Sequence, residues 1–233
     1  MVACQSAALH TLVHGPFKEA EERCIRWPEV DKDTFVRFTE YIYTGWYTPA
    51  SPVIARETQP GELRSYLVHE EPDAPRDAQG PPPPKRPRKC RDSALWAKFK
   101  KGYLNQSTIE PFILDQPYED CTGVFLCHAK MYVFAEYYGI GKLKTMALAN
   151  LRQSLELFYI HAERIGDVVN LIEYIYVNTS KQERRTDPMR NLVCIYAACK
   201  MESLWESHRF RRAFNMLDGF SERVITRLMK RLD

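Results

Sequence analysis

Apolar residues recur along this chain with helical spacing in two blocks, separated by a stretch in which the pattern fails. In the first block, Leu9, Leu12 and Val13 share one side of a short helix over residues 7–13, and Gly15-Pro16 ends it. Cys24-Ile25-Arg26-Trp27 alternates in character and stops at Pro28, which predicts a short strand. Next, Asp31 or Asp33 is placed to cap a helix whose Phe35, Phe38 and Ile42 form a buried stripe. Arg37 and Glu40 are expected to face outward. Gly45 stands where a helix closes in the left-handed conformation.

The second block starts near Tyr118. Met131, Phe134, Ala135 and Tyr138 trace one helical face, closed by Gly139. Leu143, Met146, Ala147, Asn150, Leu151 and Leu155 trace the next, and Val168, Val169, Ile172, Ile175 and Tyr176 a third. Asp187-Pro188 pairs a cap with proline at the first helical position, ahead of the face Leu192, Val193, Ile195, Tyr196 and Cys199. Ser221 is expected to cap a last helix through Val224, Ile225, Leu228 and Leu232. The second half thus reads as all helix.

Between the blocks, residues 51–93 carry Pro72, Pro75, four prolines at 81–84 and Pro87, with few apolar side chains to offset the entropy of ordering. The expectation there is disorder, with an extended polyproline segment at Pro81–Pro84. Leu95, Trp96, Phe99, Tyr103 and Leu104 then restore enough apolar character for a short docked helix near 93–103.

Composition changes the picture at one place. The formal charge of the 233 residues is +3, yet KRPRKCR at 85–91 holds five basic residues and no acidic one, leaving −2 (3 − 5) for the rest. Lys85, Arg86, Arg88, Lys89 and Arg91 are accordingly a nuclear-import candidate, whereas nucleic-acid binding by so short a run is not expected. No run of eighteen apolar residues crosses a membrane and no signal peptide precedes the first helix, so nucleus or cytoplasm is the expected location.

Candidate chemistry is sparse. The seven cysteines are scattered without repeated spacing, and Cys121-x5-Cys127-His128 lacks the paired spacing of a structural zinc site. His10 and His14 have no glutamate placed between them for a zinc-protease motif, and no nucleophile elbow, phosphate loop or dinucleotide fingerprint occurs. No enzyme, metal or cofactor is expected.

Two longer stretches, QSAALHTLVHGPFKEA (5–20) with IRWPEVDKDTFVRFTEYIYTGWY (25–47), and AKMYVFAEYYGIGKLKTMALANL (129–151), resemble the BTB/POZ domains of filamentous-fungal proteins. Residues 165–232 resemble the helical tails of the same group, so the resemblance covers about three-quarters of the chain. It implies an α+β, predominantly α-helical protein: a BTB/POZ core in two parts (1–50 and 117–157), a proline-rich basic insertion (51–116) and a helical C-terminal extension (158–233). It also implies a non-catalytic protein–protein interaction module, with a cullin ubiquitin-ligase scaffold as candidate partner. Family adaptors use a hydrophobic-x-Glu loop for that contact, which Phe17-Lys18-Glu19 matches by position, making Phe17 and Glu19 the candidate partner-binding residues. A nuclear regulatory protein using the basic segment is the alternative. Family members place a β-hairpin and a helix, which build their dimer interface, before the segment that begins here at Val2. The expectation is a truncated or degenerate member whose homodimerisation is open.

Overall fold

A computed structural model describes residues 2–16, 18–22, 24–54, 94–101, 114–180 and 186–232. The molecule is mostly helical. In chain order the helices are α1 (Ala7–His14), α2 (Lys18–Glu22), α3 (Lys32–Thr44), α4 (Ala94–Lys101), α5 (Thr122–Tyr137), α6 (Gly141–Leu157), α7 (Ile165–Asn178), α8 (Pro188–Cys199), α9 (Met201–Leu204), α10 (His208–Met216) and α11 (Phe220–Leu232). Among the described residues two strands, β1 (Val53–Ile54) and β2 (Glu119–Asp120), pair antiparallel as Val53 with Asp120 and Ile54 with Glu119. One isolated parallel bridge joins Leu114 to Phe158.

Local chemistry accounts for the helix ends. Ser6 accepts the Leu9 amide at 3.1 Å to start α1, and Asp31, not Asp33, accepts the Thr34 amide at 3.0 Å to start α3. The Asp187 carboxylate accepts the Met189 and Arg190 amides ahead of Pro188. Gly45 closes α3 at φ 82°. A Cβ at Gly45 would meet no atom within 4 Å, so Gly45→Ala isolates the backbone cost of the left-handed conformation. That cost is about 1 kcal/mol, and the thermal midpoint should fall by about 2–4 °C. An unchanged midpoint would show that the closing turn has rearranged.

Three sequence expectations need correction. Residues 24–27 form no strand, because among the described residues no neighbouring strand supplies ladder partners. Instead Trp27 packs edge-on against Phe35, Phe38 and Phe134, with centroids 5.4, 5.8 and 5.7 Å away. The buried stripe of α3 is Thr34, Phe38 and Tyr41, turned by one position from the expected one, and Phe35 is 45% exposed. At the C-terminus α11 begins at Phe220, so Ser221 lies inside it rather than capping it, and Ile225 is 49% exposed. Phe220 and Val224 supply the buried face there.

Most other expected faces hold, although Tyr138 and Met146 are only partly buried and Val53–Ile54, inside the stretch expected to be disordered, pair as β1. Met131, Phe134 and Ala135 of α5, Leu143, Ala147, Asn150, Leu151 and Leu155 of α6, and Val168, Val169, Ile172, Ile175 and Tyr176 of α7 are buried. α4 docks Leu95, Trp96 and Phe99 onto α8, where Trp96 and Phe99 both face Tyr196. The antiparallel pair α5 and α6 forms the centre, with α7 and α3 packed against α5. Two carboxylates, Asp167 buried and Asp187 partly so, staple this centre to the later helices. Asp167 of α7 accepts the Cys121 amide at the head of α5 (2.9 Å), and Asp187 accepts the Tyr132 hydroxyl (2.8 Å).

Candidate binding site

Thr44 to Pro52, which leads from α3 into β1, runs across the end of the α5–α6 pair and encloses a cavity of about 790 Å³ with it. Trp46, Pro49, Ala50, Pro52, Leu114 and Leu157 make its walls apolar, and Ser154 of α6 adds a hydroxyl. The 44–52 segment is tightly held. The Glu40 carboxylate accepts the Thr48 amide (2.8 Å) and hydroxyl (2.6 Å), while Arg37 Nε donates to the Thr48 carbonyl at 3.1 Å. Arg37 and Glu40 therefore brace the loop rather than merely face solvent. Between these anchors Tyr47 is fully buried and Trp46, at 43% exposure, stands on the cavity rim.

Behind the cavity wall lies a line of buried polar groups. Tyr47 Oη is 2.8 Å from His128 Nδ1, and His128 Nε2 is 3.3 Å from Ser154 Oγ. Cys127 Sγ lies 4.0 Å from the same Nδ1. Asn150, one turn before Ser154, is wholly buried beside Tyr47, and neither amide atom reaches hydrogen-bond geometry.

The electrostatics of this network follow from its burial. Loss of hydration, with a smaller contribution from nearby Arg37, pushes the His128 imidazolium down to about 3, so the ring is neutral near pH 7. Burial likewise raises the Tyr47 phenol well above its ordinary value and raises the Cys127 thiol. A base as weak as His128 is poorly matched to removing the Ser154 proton at neutral pH. A neutral ring with a partner on each nitrogen instead fixes Tyr47 and Ser154 relative to each other.

No protein-family model, curated protein or solved structure matches this chain. Its site is thus read from its own residues. Phe17 lies outside the described residues, and Glu19 falls in α2, whose backbone alone is described at that position. Lys85, Arg86, Arg88, Lys89 and Arg91, with the polyproline run, also lie outside the described residues. Cys121 and Cys127 do not converge. Cys121 Sγ approaches the Glu119 carbonyl at 3.7 Å, and burial followed by the neighbouring Asp167 pushes its thiol up to about 12. Among the described residues no three His, Cys, Asp or Glu side chains gather as metal ligands, and no helix is long and apolar enough to cross a membrane.

Sequence reasoning did not single out the Tyr47–His128–Ser154 line. The three residues are far apart in the chain, and each alone looks like an ordinary helix or loop residue. The available signal was His128 directly after Val124-Phe125-Leu126-Cys127 and before Ala129, where a buried imidazole needs partners on both nitrogens.

Proposed function

We propose that this protein is a non-catalytic protein–protein interaction module of BTB/POZ type, and that its partner is a cullin ubiquitin-ligase scaffold. The observation that carries the binding role is the cavity beside Trp46. It is apolar, of a size suited to one or two anchoring side chains, and bordered by a half-exposed tryptophan on a braced loop. Rigid aromatic rims of this kind lose little conformational entropy when a partner docks. The cullin assignment rests on the resemblance carried by residues 5–20, 25–47 and 129–151, and on Phe17-Lys18-Glu19 within it.

The test is direct binding of the full chain to a purified cullin, followed by calorimetry. Phe17→Ala combined with Glu19→Ala should weaken binding at least tenfold, and Trp46→Ala should cost about 2 kcal/mol if the cavity shares the contact. A normal Trp46→Ala affinity beside a failing Phe17/Glu19 variant would confine the contact to the α1–α2 loop. An intact protein that binds no cullin removes the adaptor reading. Nuclear residence, governed by Lys85, Arg86, Arg88, Lys89 and Arg91, is compatible with either role.

A further inference from the structure

A second pocket, far from the first in sequence, lies in the seam between the N-terminal half of α8 and α11. It encloses about 290 Å³ and is lined by Thr186, Asn191, Cys194, Glu222, Arg223, Thr226 and Arg227. Its character is opposite to that of the apolar cavity. Arg223 and Arg227, one turn apart on α11, lie along the seam and are half-buried. The Arg223 guanidinium donates to the Thr186 hydroxyl and that of Arg227 to the Asn191 carbonyl oxygen (2.7 Å). A guanidinium has five N–H donors, so each retains most of its donor capacity after this one bond. Neither forms an ion pair among the described residues.

A third cation reinforces the field. Arg190 is only 6% exposed, yet its side-chain partners are all neutral: the Thr179 hydroxyl (2.7 Å), the Thr179 carbonyl and the Tyr176 carbonyl (2.9 Å). Its guanidinium stacks on the Tyr176 ring at 4.6 Å. Buried charges are ordinarily compensated by an opposite charge, and Arg190 has no carboxylate partner among the described residues. Cys194, at the floor of the pocket, feels Arg223, Arg227 and Arg190 together. Among the described residues that line the pocket, Glu222 is the one carboxylate.

We propose that this seam is a binding pocket for a phosphate monoester group, held by the forked donors of Arg223 and Arg227 with the hydroxyls of Thr186 and Thr226 beside them. A tetrahedral oxyanion offers several acceptors to two guanidinium forks, a geometry that a lone chloride cannot use. The pocket is large enough for the phosphate and the first atoms of whatever carries it. Glu222 limits affinity for the dianion, so the pocket favours a ligand that brings additional contacts of its own.

Differential scanning fluorimetry of the full chain tests this with inorganic phosphate and O-phosphoserine, against chloride at matched ionic strength. At about ten times Kd, the phosphate compounds should raise the midpoint by roughly 3–5 °C, and chloride should not. Arg223→Gln with Arg227→Gln should abolish the response, whereas Arg211→Gln with Arg212→Gln on the exposed face of α10 should leave it intact. Glu222→Gln should tighten phosphate binding severalfold. O-phosphoserine binding tighter than inorganic phosphate supports the ester as ligand. Equal effects of phosphate and chloride, or a response that persists without Arg223 and Arg227, overturn the proposal. If the double arginine variant fails to fold, calorimetric titration of the intact protein decides. An absence of saturable phosphate binding up to tens of millimolar then overturns it.

Discussion

Phe134→Ala is expected to lower the free energy of unfolding by about 3–5 kcal/mol. Phe134 is 4% exposed and stands where the two blocks of sequence meet. Its ring lies 4.5 Å from Phe38 of α3, 5.7 Å from Trp27 and 4.7 Å from Tyr138. Truncation removes the transfer energy of a large side chain and leaves a void that three rigid rings cannot collapse to fill. Because Trp27 and Phe38 come from before the insertion and Phe134 from after it, the loss weakens the attachment of α3 to the helical centre. Urea unfolding followed by Trp fluorescence measures it. The exposed Val177 (78%) serves as control, since its alanine variant should change stability by less than about 0.5 kcal/mol. A Phe134→Ala loss under about 1 kcal/mol would mean that the aromatic cluster does not join the two blocks.

His128 supplies the second large effect, and it depends on pH. Its imidazole titrates near 3 in the folded protein, against about 6.5 when unfolded. Between those values the unfolded chain takes up a proton that the folded chain refuses, so acid favours unfolding. The native state should therefore lose stability as pH falls below about 6.5, by about 1.4 kcal/mol per pH unit from this residue. The loss reaches about 2 kcal/mol by pH 5 and, if the fold persists, about 4 kcal/mol near pH 3. His128→Gln cannot take up the proton. At pH 7.5 it should cost about 1–3 kcal/mol through poorly satisfied Tyr47 and Ser154, but its stability should fall less steeply between pH 6.5 and 5. Parallel pH profiles for the two proteins would show that His128 is charged, or hydrated, in the native state.

The corrections to the sequence reading share one physical origin. Helix periodicity reports that an apolar face exists, while the neighbour decides which way the helix turns. On α3 the periodicity placed Phe35, Phe38 and Ile42 inward, yet the helix turns Thr34, Phe38 and Tyr41 inward. Trp27 draws Phe35 toward itself and leaves it half outside. Residues 24–27 alternate correctly for a strand, but a strand is a relation between two segments, and no described segment pairs with this one. Gly219, at φ 71°, sets the entry to α11 and moves its start ahead of Ser221.

The candidate sites were least legible. Phe17, Glu19 and the basic run were chosen as local words in the sequence. The polar line and the arginine pocket instead join residues 81 and 26 positions apart in one case and 37 and 36 in the other. Such groupings leave no local spacing to read.

What the chain dictates unaided is whatever is settled within a few residues: where helices begin at Ser6, Asp31 and Asp187, where Gly45 and Gly139 end them, and which faces of α5 to α8 are apolar. Capping, left-handed backbone and periodicity are local energies, so they survive without tertiary context. Tertiary structure alone decided that Tyr47, His128 and Ser154 share one line of hydrogen bonds beside an apolar cavity. It alone also set Arg223 and Arg227 along one small pocket, with Arg190 buried nearby, and among the described residues none of the three pairs with a carboxylate. Burial and long-range charge depend on which surfaces meet, and that is fixed only when the helices pack.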